Sequence, residues 1–589
     1  MKQFLKFTLA TITGIILTSV IFFITMIAGL SALVASGDKP ATISENSILV
    51  LKAGVPVPDR GNDDPFAGID IFSMSFTPTP GLNEILSNIR KATTDDNIKG
   101  ILIETGLLPS GWATTGEIRD ALIEFRNDGK FVIAYSDYVL TQECYYLSTA
   151  ADKIYIHPGS MVDFKGLSSE VMFYKKALEK IGVDVQVTRH GKFKGAVEPF
   201  ILDKLSDENK AQINDYVGSI WGHVLSGISE ARGLPVETLN KLADNLTGNI
   251  ADDAFRSNLV DGLMFRDQLI DTLKSLSGTP QDNDLNLVSM TKYAKVPILS
   301  KNYSSKNKIA LIYASGNIVM GKGNENNIGG NHYADVIRKV RLDTSFKAIV
   351  LRVNSPGGNA IASDIMWREL ELAAKVKPVV VSMGNYAASG GYYISAPGTK
   401  IYASPATISG SIGVFGLIPN AGELLEKKLG LNTEIVSTNK NSDFPSIYRP
   451  MNVYEQQVMQ TSIEKVYSDF VGKVASGREM TPESVDSIGQ GRVWSGISAQ
   501  KMGLVDEMGG IRAAVKGAAE LAGIETWSVR ELPEVEDPYT RLLTQLEGEV
   551  KLRILKNELG ESVKYFNLVK EISELSGIQA RLPYFIEIR

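Results

Sequence analysis

"YYLSTAADKIYIHPG", residues 145–159, returns 247 positions later as "YYISAPGTKIYASPA", residues 392–406, and this recurrence decides how the chain is divided. The same offset pairs Pro109 with Pro356 and Gly166 with Gly413. "NLVDG" matches "GLVDE" through Asp261 and Asp506 at an offset of 245. Upstream, "ILVLKAGVPV" matches "ALIYASGNIV" through Gly54 and Gly316 at 262, so the first copy carries about 15 additional residues around "PDRGNDDPFAGIDIF". Two homologous domains follow, their recurring parts at roughly 46–285 and 306–526. With their flanks they divide the chain into 1–37, 38–290, 291–526 and a tail, 527–589.

Within each copy, short Val- and Ile-rich runs alternate with helical patterns. In the second, "KIALIYA", "FKAIVLRV", "KPVVVSM" and "TKIYASP" read as buried strands; "IASDIMWRELELAAKV" and "YEQQVMQTSIEKVYSDFVGKVA" read as helices. Such alternation predicts an α/β fold of stacked parallel β/α units. The tail, with "YTRLLTQLEGEVKLRILKNEL", reads as amphipathic helices for packing or oligomer formation.

The 589 residues hold 67 acidic and 61 basic side chains, a balance that gives no reason to expect nucleic acid. Cys144 is the one cysteine, and His157, His190, His223 and His332 are scattered, which argues against a disulfide framework, a Cys-rich zinc site and metal-dependent hydrolysis. No metal or cofactor is expected. From Phe7 to Ala35 the chain is uncharged, longer than the ~20 residues that span a bilayer and than a signal-peptide core. We read it as a retained transmembrane anchor, with "VAS" at 34–36 as a cleavage site in the alternative reading. Lys2 and Lys6 before the span place the short tail in the cytoplasm and the bulk of the chain outside.

Chemistry concentrates in the second copy. After "AIVLRV" comes "NSPGGNAIASDI", where Pro356 stops the strand and Gly357 and Gly358 are expected to open a helix, their N–H groups free for an oxyanion. One strand later, "VSMGNYAASGGYYISA", residues 381–396, places Ser389 at a strand-to-helix turn with the Gly390 N–H beside it. A serine hydroxyl needs a base, and no Ser-His-Asp arrangement suggests itself; His190 is the nearest candidate. A lysine serves if burial lowers its pKa from ~10.4 toward 7–8. "VDVQVTRHGKFKGAVEPF" offers Lys192 and Lys194, which by composition alone read as surface residues.

Taken together, "NSPGG" at 354–358, "AASGGYYIS" at 387–395, "SGSIGVFG" at 409–416 and "GKFKGAVEPF" at 191–200 resemble the signal peptide peptidase A family in its long, tandem-repeat form. The resemblance runs from the anchor to about residue 526. It implies Ser389 as nucleophile, Lys194 as general base, Ser411 as the residue that orients the lysine, and a ClpP/crotonase-like fold for each repeat. It also implies a homo-oligomeric dome, a tetramer, at the cytoplasmic membrane with its catalytic body on the extracytoplasmic side, cleaving signal peptides left in the membrane after export.

The repeat alignment bears on this independently. Position 142, opposite Ser389, holds Gln142; Phe164 lies opposite Ser411, and Ser110 opposite Gly357. After a one-residue slip that pairs Gly182 with Gly430, Lys194 falls opposite Ser442. Each half lacks what the other supplies, so a site shared between halves is expected, with Gly357, Gly358 and Gly390 around the oxyanion. Two rival readings are a crotonase-type acyl-CoA enzyme, which export and the absence of a carboxylate in the Gly-rich turns oppose, and a non-catalytic membrane scaffold. "GKGNENNIGG" at 321–330 lacks the Lys-Ser/Thr ending of a phosphate loop and reads as a flexible loop.

Overall fold

The apolar runs of each copy become neighbouring strands because each is buried on both faces, which a sheet covered by helices requires. The computed structural model describes residues 2–37, 41–53, 56–61, 69–70, 75–76, 80–106, 110–297, 305–324, 326–535 and 577–582. Residues Lys2–Gly37 form helix α1. Among the described residues no helix is long and apolar enough to cross a membrane.

The first repeat contributes β1 (Ser47–Ala53), β2 (Ile98–Thr105), α2 (Trp112–Asn127), β3 (Phe131–Ser136), α3 (Gln142–Ser148), β4 (Lys153–Ile156), β5 (Asp184–Arg189), α4 (Asp207–Arg232), β6 (Gly262–Leu263) and β7 (Leu287–Ser289). All but β5 of these strands form one parallel sheet in the order β6-β4-β3-β2-β1-β7.

The second repeat contributes β8 (Lys308–Ser315), β9 (Phe346–Ser355), β10 (Gly357–Asn359), α5 (Ala360–Ala374), β11 (Val379–Ala388), α6 (Gly390–Ser395), β12 (Lys400–Ala403), β13 (Ile408–Gly410), β14 (Phe415–Asn420), α7 (Val453–Gly477), β15 (Val493–Ser495) and β16 (Ser528–Leu532). Its sheet runs β15-β13-β11-β9-β8-β16, with β12 branching from β11. The pairing of β16 beside β8 carries this unit to Leu532, past the boundary at 526 that the repeat alignment suggests.

A third sheet joins the halves. β5 of the first repeat pairs antiparallel with β14 of the second, from Asp184↔Asn420 to Arg189↔Phe415. On the other side of β14 lies β17 (Gly577–Arg581), which also pairs with β10. Polar ties reinforce the junction. Arg352, fully buried, lies 2.7 Å from Asp59 and 2.7 Å from Glu117 of the first half. Asn385 donates to the Ser110 carbonyl at 2.7 Å and accepts from the Ala113 N–H at 3.0 Å.

Three sequence expectations are corrected here. Gly357 and Gly358 do not open the helix: they form the short strand β10, paired with Asn317–Val319 on one side and Gly577–Arg581 on the other, and α5 begins at Ala360, where the Asn359 side chain accepts the Ala362 N–H at 3.0 Å as an N-cap. The stretch 321–330 reads as a flexible loop, yet its described residues include two short antiparallel strands, paired as Gly323↔Ile328 and Asn324↔Asn327. The described parts of the tail are strands: β16 completes the edge of the second repeat's sheet beside β8, and β17 fills the gap between β10 and β14; the helical stretch expected at 539–559 lies outside the described residues.

Candidate active site

Ser389 stands where β11 turns into α6. Its φ of 54° and ψ of −115° are values that a residue with a side chain adopts only under strain. Two bonds hold the turn: the Ser389 N–H donates to the Gly410 carbonyl, and the Tyr393 N–H to the Ser389 carbonyl, both at 2.8 Å. The small residues around it follow from crowding. A β-carbon on Gly390 would lie 2.7 Å from Ser363 Oγ, and one on Gly391 would lie 2.6 Å from the Ser355 carbonyl oxygen. The stripped composition of this stretch lets the turn press against the end of β9.

Lys194 reaches that turn from the opposite half. Because β5 is tied to β14, the chain leaving Arg189 emerges beside the second repeat, where the Phe193 N–H donates to the Gln490 carbonyl at 3.1 Å. Gln212 on α4 clasps the crossing, donating to the Phe193 carbonyl at 3.0 Å and accepting the Val493 N–H at 3.0 Å. The lysine stem then passes between two glycines. A β-carbon on Gly491 would stand 2.7 Å from Lys194 Cβ, and one on Gly413 would stand 3.3 Å from Lys194 Cδ.

At the end of this passage Lys194 Nζ lies 2.8 Å from Ser389 Oγ, 3.0 Å from Ser411 Oγ and 3.2 Å from the Ser411 carbonyl oxygen. All three side chains are fully buried. Among the described residues no carboxylate pairs with the amine, and burial alone drives its pKa well below the ordinary lysine value. A neutral amine has two N–H donors and one lone pair. With the donors on the two oxygens of Ser411, the lone pair faces the Ser389 hydroxyl and can take its proton.

The two other candidates for the base lie elsewhere. Lys192 is exposed, its Nζ over the Phe193 ring. His190 stacks on Tyr467 with ring centroids 3.7 Å apart and pairs with Glu464 at 2.6 Å.

Gly357, Gly358 and Gly390 meet beside the serine. Gly357 has φ 98°, and a β-carbon on it would stand 2.7 Å from the Gly390 nitrogen and collide with the Ala580 carbonyl oxygen. A side chain there would crowd the Gly390 N–H; the Gly357 N–H itself is not free for an oxyanion, since it donates to Ser355 Oγ at 3.1 Å, which corrects its expected part.

At the place matching Ser389 the first repeat holds Gln142. Gln142 donates from Nε2 to the Gly166 carbonyl at 3.0 Å, and its Oε1 accepts the N–H groups of Lys165 and Gly166 at 2.9 and 2.8 Å. Ser389 Oγ lies 3.4 Å from the carbonyl of Gly413, the repeat counterpart of Gly166. The glutamine thus bonds where the serine points.

Gln212, Gly413 and Gly491 support the lysine, and sequence reasoning assigned none of them that part. Gly413 carried a signal as the repeat partner of Gly166; the other two depend on contacts between chain segments far apart in sequence.

Peptidase family S49 matches the chain twice, over residues 124–279, which include Lys194, and over 371–525, which include Ser389. The chain is 35% identical over 545 residues to Protease 4 of Salmonella typhi, covering 90% of this chain and 87% of that protein. It is 36% identical over 448 residues to Protease 4 of Haemophilus influenzae, covering 74% and 72%. It is 31% identical over 519 residues to the chloroplastic serine protease SPPA of Arabidopsis thaliana, covering 87% and 76%.

Proposed function

From the premise that this chain belongs to peptidase family S49 and is a serine peptidase, we propose that it works through a Ser389–Lys194 dyad and degrades the signal peptides left after export, along with other extended apolar peptides. The observation that carries this reading is the 2.8 Å approach of a buried, ion-pair-free amine to a hydroxyl on a strained turn. Lys194 takes the Ser389 proton as Oγ attacks the scissile carbonyl, and the oxyanion forms against the N–H groups of Gly358 and Gly390. Each such donor lowers the barrier by about 3–4 kcal/mol where it is preorganised in a water-poor site. The protonated amine then gives its proton to the leaving nitrogen. A water molecule activated by the same amine releases the acyl group from Ser389. Ser411 holds the amine in line.

The uncharged run Phe7–Ala35, with Lys2 and Lys6 before it, supports a membrane anchor with the catalytic body outside the cytoplasm; the family resemblance is what supports a ClpP/crotonase-like plan for each repeat and a homo-oligomer, a tetramer. The anchor would hold the enzyme where apolar fragments collect.

The test is hydrolysis of a fluorogenic apolar peptide by wild type, Ser389→Ala, Lys194→Ala and Lys192→Ala. Loss of activity by roughly 10⁴-fold or more in the first two, with Lys192→Ala near wild type, is expected. Full activity in Ser389→Ala would end the assignment, and loss in Lys192→Ala with an unchanged Lys194→Ala would move the base by two positions.

A further inference from the structure

His190 is not at the Ser389 turn, yet it begins the loop that ends in Lys194. It is the first residue beyond β5, and its N–H extends the ladder to the Val414 carbonyl at 3.1 Å. Between it and Lys194 the chain has few holds of its own. Gly191 has no side chain and a φ of 91°, and Lys192 is exposed.

The hold comes from the other repeat. The His190 ring stacks on Tyr467 of α7, with centroids 3.7 Å apart and planes 21° from parallel. The Tyr467 hydroxyl donates to Asp486 Oδ1 at 2.5 Å and accepts the Gln490 N–H at 3.1 Å. The Gln490 side chain is tied to the same carboxylate, its Nε2 donating to Asp486 Oδ2 at 3.2 Å. The Gln490 carbonyl accepts the Phe193 N–H at 3.1 Å, and a β-carbon on Gly191 would collide with that carbonyl oxygen. The loop is therefore gripped at both ends: His190 by the tyrosine ring, and Phe193 by the residue that the tyrosine hydroxyl fixes.

The grip continues into the site. Gln490, with a left-handed φ of 51°, leads into Gly491 beside the Lys194 stem and into Arg492, whose carbonyl accepts the Ser411 N–H at 2.6 Å. One clasp thus sets both the loop that carries the amine and the serine that receives its N–H bonds.

We propose that His190 is a positioning residue for the base: by stacking on Tyr467 it holds Gly191–Lys194 at the depth that brings the amine to Ser389. The proposal rests on the Ser389–Lys194 reading. The stack carries this role, and the 2.6 Å pair with Glu464 does not, because 46% of that glutamate side chain is exposed and ion pairs open to water contribute little. Tyr467 is 5% exposed, so its contact with the ring is closed to water. A displacement of about 1 Å, caused far from the reacting atoms, costs on the order of 100-fold in rate. A loosened loop also admits water to the amine, which favours its charged form.

Four variants of the full chain separate the contacts. His190→Ala removes both the ring and the bond to Glu464. His190→Phe keeps a ring, His190→Gln keeps a polar group for Glu464, and Tyr467→Phe keeps the stack without the hydroxyl. With a fluorogenic apolar peptide, we expect His190→Ala and His190→Gln to lower kcat roughly ten- to hundredfold, with KM near wild type and the midpoint of the pH–rate profile moved upward. His190→Phe should remain near wild type in both. Tyr467→Phe should lower kcat, and His190→Ala should cost less in that background than in wild type, since both act through one clasp. Wild-type kcat and midpoint in His190→Ala, even with a lower melting temperature, overturn the proposal. So does a normal His190→Gln beside an impaired His190→Phe, which would give the role to the Glu464 pair.

The titration of Lys194, followed by the NMR signal of its Cε carbon in the Ser389→Ala chain, gives a reading without activity. Adding His190→Ala should raise its midpoint toward the ordinary lysine range, and an unmoved midpoint overturns the proposal. Absence of peptide hydrolysis by the wild-type chain, while that titration does shift, would instead sink the protease reading and leave the clasp supported.

Discussion

Lys194 Nζ lies 2.8 Å from Ser389 Oγ although 195 positions separate the two residues in the chain. The first repeat supplies the amine and the second supplies the hydroxyl, and the pairing of β5 with β14 brings them together. Neither repeat contains both groups, since Gln142 occupies the serine's place in the first and the matching alignment puts Ser442 at the lysine's place in the second.

The amine must be uncharged to act, so kcat/KM should rise with pH through the lowered pKa of Lys194 and level off well short of the ordinary lysine range near 10.5. A pH–rate profile measures this. A rise that continues to pH 10.5 would mean an amine in contact with solvent.

The same burial links stability to pH. Between the lowered folded pKa of Lys194 and 10.5, the unfolded chain binds the proton that the folded chain does not, so the contribution of this group to stability increases as pH rises through that window and is lost as pH falls through the folded pKa. Lys194→Met removes the ionisable group while keeping an unbranched stem. It should melt at a higher temperature than wild type at neutral pH, with the difference shrinking toward pH 10.5; calorimetry across that range checks it.

Ser411 offers the amine both its hydroxyl and its carbonyl oxygen. Ser411→Ala removes one of the two, a hydrogen bond worth about 1.5–3 kcal/mol if the partner is charged in the transition state, so kcat should fall roughly ten- to hundredfold. The midpoint of the pH–rate profile should move as well. A change in thermal stability alone, with kcat and the profile unchanged, would leave Ser411 without a part in positioning the base.

Gly357→Ala places a methyl group 2.7 Å from the Gly390 nitrogen at a backbone φ of 98°. We expect kcat to drop about 100-fold or more with the fold retained, as when an oxyanion donor is removed. Near-normal kcat in a folded protein would put the oxyanion elsewhere.

Arg352 pairs with both Asp59 and Glu117 across the junction of the halves, with its side chain fully buried. Arg352→Leu strands two buried carboxylates and should destabilise the chain by about 3–5 kcal/mol, read as a lower melting temperature.

Much of this was legible in the residues themselves. The repeats, the Val- and Ile-rich strands and the Ser389 turn have local causes: apolar periodicity and glycines that only a crowded turn requires. The choice between Lys192 and Lys194 was not local. Both follow the same strand, and only the passage between Gly413 and Gly491 buries one and leaves the other in solvent. Gly357 and Gly358 misled for a related reason, because a strand from the far end of the chain pairs with them and keeps them extended. That strand, "GIQAR", is five residues long and has no periodicity of its own, so its place is set wholly by the edges that receive it.

The β5–β14 pairing also sets a timetable. Synthesis runs from the amino end, and domains fold as they emerge. On the proposed dyad, a half-made chain would carry the Lys194 amine without the Ser389 hydroxyl it faces in the folded chain. On that reading the amine and the hydroxyl would meet only once Phe415–Asn420 has been made and has paired with Asp184–Arg189, so the order of translation would set when the site can assemble.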